Sequence, residues 1–266
     1  MHAKLLIMIL SLFVSAHSAL GAVRTEPVAY RDGDVRLEGW MAYDDEPAGK
    51  QPGIIVVHEW WGINDYIKKR AEQMAGLGYV VFAVDIYGKD TRPKDQKEAA
   101  EASGRFSKDR ELLRRRAGAG LDVLRRSPRA DAARIAAVGY CFGGMTVLEM
   151  ARSGADLAGV VSFHGVLETP RPEDARKIKG SVLVLHGADD PFVPLRQVNA
   201  FINEMQKGGV DWQMNIYGGV VHSFTNPASG EDRKKGLAYD EKADRRSWEA
   251  MKSFLEEVLG KGRRVK

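Results

Sequence analysis

The chain has 266 residues, a formal net charge of +4 and 44% hydrophobic residues. This length is enough for one sizeable core, and α/β domains of this size commonly form a single unit. The small net charge and the lack of interleaved aromatic and basic residues argue against a nucleic-acid groove, so no nucleic-acid partner is expected. The single cysteine, Cys141, excludes an internal disulfide.

Residues 1–22 have the order of regions that is typical of a secretory signal peptide. Lys4 is their only charged side chain, and a largely apolar run over residues 5–14 follows it. Ala19-Leu20-Gly21 fits a small-x-small cleavage site, and the apolar run is too short to span a bilayer. We therefore expect an exported protein, periplasmic or secreted, with residues 23–266 as one domain and no stable membrane association after cleavage.

The remaining chain alternates between strand and helix patterns. Residues 27–45 predict an edge hairpin around Asp32-Gly33, a strong turn signal. Apolar runs that are typical of buried strands cover residues 53–57, 79–84, 134–138, 157–163 and 181–185, and residues 212–217 form the last predicted strand. Helices are predicted after Asn64 or Asp65 and over residues 94–103, 107–126, 195–205 and 242–259. This alternation indicates an α/β fold with a mostly parallel sheet and helices on both faces.

One turn stands out chemically, the segment Gly139-Tyr140-Cys141-Phe142-Gly143-Gly144. It follows a predicted strand and precedes an apolar helical run, which is the context of a nucleophile elbow. The flanking glycines suit a sharp turn in which the nucleophile has a strained backbone. An inert buried thiol is the alternative for Cys141, but its place between glycines favours a reactive one.

Two further side chains follow predicted strands in the order expected of a catalytic triad. In open α/β sheets function gathers at the carboxyl ends of the strands, and Cys141, Asp190 and His222 occur there in the chain order of α/β-hydrolase triads. His222 would take the thiol proton, and Asp190 would orient His222. Position after a strand does not by itself choose between Asp190 and Asp189.

Backbone N–H groups near the elbow are candidates for an oxyanion hole. Phe142 directly follows the nucleophile, and Trp60 lies in the loop after the strand at residues 53–57. Trp60 and its neighbour Trp61 either line a substrate pocket or pack structurally. His164 and His186 also follow strands, and we interpret both as structural histidines.

Two short motifs are incomplete and exclude other classes of site. His58-Glu59 begins like the zinc motif H-E-x-x-H, but Gly62 occupies the position of the second ligand, so no metal site is predicted. Gly118-Ala119-Gly120 lacks both a third glycine and a preceding strand, so it does not predict a nucleotide-binding loop.

Four segments resemble the signature segments of the dienelactone hydrolase family: residues 58–64, 139–144, 187–194 and 222–224. The correspondence runs from about residue 30 to residue 258, and residues 224–227 with 244–248 are similar to an exported branch of the family. The resemblance implies an α/β-hydrolase fold and hydrolysis of a lactone or ester by a Cys-Asp-His triad without a cofactor. The small-molecule ester or lactone is then the expected partner of a monomer or small homo-oligomer.

The resemblance also implies roles for individual residues. Asp190, directly before Pro191, takes the place of the triad acid, and Glu59 takes the place of a glutamate that contacts the resting thiol and helps to form the thiolate. Family members that cleave dienelactone hold the substrate carboxylate with two arginines. Asn226 occupies one of these positions, and Arg105 is a candidate for the other.

Three functions fit the sequence. The first is hydrolysis of an ester or lactone through a thioester on Cys141. The second is an acyltransferase or thioesterase that uses the same triad with another acceptor or substrate. The third is a binding or redox-sensing protein that has kept the pocket and lost turnover.

Overall fold

The computed structural model describes residues 22–45 and 49–260, so the predicted leader lies outside the described residues except for Ala22. A single eight-stranded sheet has the order β1-β2-β4-β3-β5-β6-β7-β8. The strands are β1 (Val23–Asp32), β2 (Val35–Asp44), β3 (Gln51–Val57), β4 (Val80–Val84), β5 (Ala130–Tyr140), β6 (Gly159–Phe163), β7 (Ser181–Gly187) and β8 (Trp212–Tyr217). The helices are α1 (Asp65–Ala75), α2 (Gln96–Lys108), α3 (Arg110–Arg126), α4 (Phe142–Arg152), α5 (Leu195–Gly208) and α6 (Glu241–Leu259).

The N-terminal hairpin occupies one edge of the sheet, as predicted. β1 and β2 pair antiparallel around the turn, in which Gly33 has a φ of +58°. β2 then pairs antiparallel with β4, whereas all pairings among β3 to β8 are parallel. The predicted fold class, a mostly parallel sheet with helices on both faces and an N-terminal hairpin, is confirmed.

The sheet is covered on both faces, which explains the continuous apolar runs. Along β3, Ile55 and Val57 belong to the core beneath α3, α4 and α5, while Ile54 and Val56 belong to the core beneath α1 and α6. All four side chains have no exposed surface. Burial of each such side chain contributes about 1.5–3 kcal/mol, so the central strands hold the sheet rigidly under the loops at their carboxyl ends.

The helical region before the elbow differs from the prediction. The charged pattern predicts one helix that begins at residue 107, but α2 continues to Lys108 and α3 begins at Arg110. Asp109 separates them, because its carboxylate accepts a hydrogen bond from the backbone N–H of Leu112 at 2.9 Å and so caps α3. None of the helices in the described part of the chain is long and apolar enough to cross a membrane.

Candidate active site

The turn between β5 and α4 has the geometry of a nucleophile elbow. Cys141, between Tyr140 and Phe142, has φ +55° and ψ −114°, a conformation that costs about 1–3 kcal/mol for a residue other than glycine. Gly139 permits the turn, because a Cβ atom there would lie 2.0 Å from the carbonyl oxygen of Gly143. The thiol is consequently presented at the N-terminus of α4, where the helix dipole favours negative charge.

The structure brings the three predicted triad residues together. His222 Nε2 lies 3.1 Å from Cys141 Sγ, and His222 Nδ1 lies 2.7 Å from Asp190 Oδ2. The other carboxylate oxygen of Asp190 accepts a hydrogen bond from the Phe192 N–H at 2.9 Å. Asp189 is exposed to solvent, so the geometry selects Asp190 as the carboxylate partner of the imidazole.

The surroundings of His222 favour its protonated form. Burial lowers its pKa, but the negative charge and hydrogen bond of Cys141, together with the hydrogen bond and charge of Asp190, outweigh burial and raise the pKa of His222 to about 10. An imidazolium between a thiolate and a carboxylate can be stabilised from both sides. The arrangement can therefore supply a nucleophilic sulfur and a proton donor at neutral pH.

The two predicted oxyanion donors lie in segments that are in close contact. The first turn of α4 packs against the end of β3, where a Cβ atom on Gly143 would lie 2.1 Å from the carbonyl oxygen of Val57. Phe142 is the first residue of α4, so its N–H has no partner within the helix. The loop that carries Trp60 follows β3 directly, and the Trp60 carbonyl accepts a hydrogen bond from the Tyr87 hydroxyl at 2.9 Å. The donor roles of Phe142 and Trp60 stay predictions.

Glu59 is buried behind the loop that carries His222. Its two carboxylate oxygens accept hydrogen bonds from Ser223 Oγ at 3.0 Å and from Asn226 Nδ2 at 2.6 Å. Burial raises the pKa of Glu59, and these two hydrogen bonds oppose that rise without cancelling it. In this structure the Cys141 sulfur is hydrogen-bonded to His222, and the contact between Glu59 and the resting thiol that the resemblance implies stays a prediction.

The remaining candidates, Trp61 and Arg105, each contact a neighbouring aromatic ring. Trp61 packs against Trp60 with ring centroids 5.1 Å apart. Arg105 is exposed near the end of α2, with its guanidinium 5.7 Å above the Phe106 ring, and its substrate-binding role stays a prediction. Within residues 22–45 and 49–260 no cluster of three or more histidine, cysteine, aspartate or glutamate side chains could hold a metal ion.

Sequence reasoning missed three residues that contact the site. Ser223 and Asn226 hold the Glu59 carboxylate. The sequence places Ser223 in a signature segment and Asn226 at the position of a family arginine, but neither signal links them to Glu59. His164, interpreted as structural, lies directly against the elbow, because its Nδ1 atom accepts a hydrogen bond from the Cys141 N–H at 3.1 Å. Its position at the end of a strand was the available signal.

The fold and a thiol at a strand-to-helix elbow define the molecule as an α/β hydrolase. The model of the dienelactone hydrolase family matches residues 37–259. The chain belongs to the dienelactone hydrolase family, and it is a lactone or ester hydrolase.

Individual relatives agree with this assignment. A solved structure named m3DLH is 41% identical, with a TM-score of 0.86, and the match covers 90% of this chain and 100% of that one. A dienelactone hydrolase-like promiscuous phosphotriesterase, P91, from metagenomic libraries is 42% identical, with a TM-score of 0.85 and the same coverage of both chains. A protein of Aquifex aeolicus (strain VF5) named "Putative carboxymethylenebutenolidase" is 24% identical over 87% of this chain and 98% of its own length.

Proposed function

We propose that this protein hydrolyses a small lactone or carboxylic ester through a thioester formed on Cys141, with His222 as acid and base and Asp190 as its orienting partner. The observation that supports this most strongly is the pair of hydrogen bonds made by His222, 2.7 Å to Asp190 and 3.1 Å to Cys141. Both ring nitrogens are occupied by the partners that proton transfer requires, at the distances it requires.

In the first half-reaction the Cys141 sulfur attacks the carbonyl carbon of the substrate. The carbonyl electron pair moves to oxygen, and the N–H groups of Phe142 and Trp60 stabilise the resulting oxyanion. When the intermediate collapses, the bond to the leaving oxygen breaks, and protonated His222 delivers its proton to that oxygen. An ester then releases its alcohol, whereas a lactone keeps its new hydroxyl on the acyl chain.

In the second half-reaction water cleaves the thioester. Neutral His222 takes a proton from water as the water oxygen attacks the acyl carbon, and the same N–H groups stabilise the second oxyanion. Collapse of this intermediate breaks the carbon–sulfur bond and releases the acid with Cys141 as thiolate. Asp190 keeps the imidazole in the required tautomer and stabilises its cationic form throughout.

The test compares hydrolysis of an aryl ester and a small lactone by wild type, Cys141→Ala and His186→Gln. His186 lies near the end of β7 but outside the hydrogen-bonded triad, so its variant is the matched control. We expect Cys141→Ala to fold, with an unchanged circular dichroism spectrum, and to lose turnover, while His186→Gln keeps it. Wild-type turnover by Cys141→Ala would overturn the proposal.

The acyl acceptor distinguishes hydrolysis from the related transfer reactions. We expect water to be the acceptor, so product analysis with added alcohol or thiol should yield free acid. Formation of a new ester or thioester as the main product would instead support an acyltransferase. Substrate that blocks a thiol label on Cys141, with no thioester formed and no product released, would support a binding or sensing role.

A second candidate activity is hydrolysis of a phosphotriester, because the relative P91 is named as a promiscuous phosphotriesterase at 42% identity over 90% of this chain. Release of a phenol from a dialkyl aryl phosphate by wild type, and its loss in Cys141→Ala, would support this activity at the same site. No release above the uncatalysed rate would exclude it for that substrate.

A further inference from the structure

A second imidazole, His164, lies directly behind the nucleophile. It follows β6, is fully buried and has a φ of +39°, which is unusual for a residue other than glycine. The backbone N–H of Cys141 donates to both the Phe163 carbonyl oxygen, at 2.9 Å, and His164 Nδ1, at 3.1 Å. The end of β6 therefore supplies two acceptors to the strained nucleophile residue.

The other ring nitrogen of His164 contacts the loop that carries the base. His164 Nε2 lies 2.8 Å from Thr225 Oγ1, and Thr225 Oγ1 lies 2.7 Å from the Tyr66 hydroxyl. Because Nδ1 accepts the Cys141 N–H, the ring proton must be on Nε2, which donates to Thr225. The hydrogen bonds thus define a single neutral tautomer of His164.

These contacts connect the two halves of the proposed catalytic group. Cys141 is at the elbow, whereas Thr225 is three residues after His222 in the loop that follows β8. We propose that His164 is a positioning residue that fixes the Cys141 backbone relative to the His222 loop and so sets the separation of sulfur and imidazole. This inference rests on the proposed roles of Cys141 and His222, which it deepens.

A neutral His164 also suits the electrostatics of the site. Its ring centroid lies 5.2 Å from that of His222, so a charge on His164 would oppose the imidazolium on His222. Burial lowers the pKa of His164 well below its ordinary value, and His222, Arg70 and His186 lower it further. The phenol of Tyr140 also faces it, with its ring centroid 6.2 Å away, whereas the contact with Cys141 is made by the backbone N–H.

Three substitutions separate the two contacts. His164→Phe keeps a ring but removes both hydrogen bonds, whereas His164→Asn can keep an acceptor for the Cys141 N–H and tolerates a positive φ. Thr225→Val keeps the side-chain shape and removes the acceptor for Nε2. A misplacement of about 1 Å can cost about 100-fold in rate, so we expect kcat to fall about 10- to 100-fold in His164→Phe with KM near wild type. His164→Asn is expected to stay within a few-fold of wild type, and Thr225→Val to fall between them.

The decisive readout is the tautomer, because a packing role alone would not require it. In ¹⁵N-histidine NMR of the wild-type protein we expect His164 to show a proton on Nε2, none on Nδ1, and no titration between pH 5 and pH 9. Titration of His164 in that range, or the opposite tautomer, would overturn the inference. This measurement uses the wild-type protein, so it tests the inference even if His164→Phe fails to fold.

Kinetics distinguish failure of this inference from failure of the proposed function. If Cys141→Ala is inactive but His164→Phe and Thr225→Val have wild-type kcat, the positioning role is wrong and the proposed nucleophile stands. If Cys141→Ala keeps wild-type turnover, the proposed function itself fails, and with it the reason to assign His164 a role in it.

Discussion

The charge of Asp190 should control the alkaline limit of catalysis. The pKa of His222, about 10 against an ordinary 6.5, corresponds to about 5 kcal/mol in favour of the imidazolium. Cys141 and Asp190 both raise this pKa against the opposing effect of burial, Asp190 through its 2.7 Å contact with Nδ1. An opposite charge at such a distance changes a pKa by about 1 to 3, so we expect Asp190→Asn to lower the pKa of His222 by about that amount.

The assay is the pH dependence of kcat/KM for an aryl ester between pH 6 and pH 11, corrected at each point for uncatalysed hydrolysis. Loss of the His222 proton removes the donor to the leaving group, so activity should fall on the alkaline side of that pKa. We call this fall in kcat/KM the alkaline limb. In wild type we expect it near pH 10, and in Asp190→Asn we expect it at least one pH unit lower, with reduced kcat/KM at neutral pH.

Asp189→Asn is the matched control, because Asp189 is the exposed neighbour of the buried Asp190. Its alkaline limb should coincide with that of wild type. If Asp190→Asn and wild type share the same limb and the same kcat/KM, Asp190 does not stabilise the imidazolium, and the electrostatic reasoning about His222 is wrong.

Three further predictions follow from burial, close packing and the leader. Burial raises the pKa of Glu59 above its ordinary 4.5, so the folded state favours the protonated carboxyl. The stability that this preference contributes is lost as the pH rises from about 4.5 through the raised pKa. Thermal melts between pH 4 and pH 9 should therefore show wild type losing stability relative to Glu59→Gln as the pH rises; a constant difference would contradict this. Gly143→Ala places a Cβ atom 2.1 Å from the Val57 carbonyl oxygen and should lower both Tm and kcat. Gly118 lies on a helix with open space around it, so Gly118→Ala should be neutral or should stabilise the fold by about 0.5–1 kcal/mol. Equal effects of the two substitutions would refute the packing argument. We also propose that the chain is exported. Intact-mass measurement of the protein recovered outside the cytoplasm should show the leader removed near the predicted site at residues 19–21, whereas a full-length mass would contradict the proposal.

The order of the elements could be predicted because buried strands have a recognisable apolar pattern in the sequence. Strands covered on both faces read as continuous apolar runs, and the predicted run at residues 53–57 lies within β3 (Gln51–Val57), which is buried throughout. Element ends were harder, because they depend on single side chains. The break between α2 and α3 rests on the Asp109 carboxylate, and an aspartate within a charged helical stretch reads equally well as a surface residue.

Some residues of the candidate site could likewise be predicted from sequence, whereas others depend on contacts that only the folded structure shows. Cys141 and His222 could be predicted because a strand-to-helix elbow and the ends of parallel strands have recognisable sequence contexts, whereas the choice of Asp190 over Asp189 depended on the family resemblance. The partners of Glu59 could not be predicted, because the hydrogen bonds from Ser223 and Asn226 depend on how the loop after β8 meets the loop that follows β3. The contact of His164 with the Cys141 N–H likewise depends on the register of β5 and β6, which pair Tyr140 with Phe163.

The proposed thioester can be tested by mass spectrometry of the protein quenched in acid during turnover of an ester. The account predicts a mass increase equal to that of the acyl group, located on the peptide that contains Cys141, absent from Cys141→Ala and lost on further incubation in water. Steady turnover with no adduct on Cys141 at any quench time, together with full activity of Cys141→Ala, would contradict it.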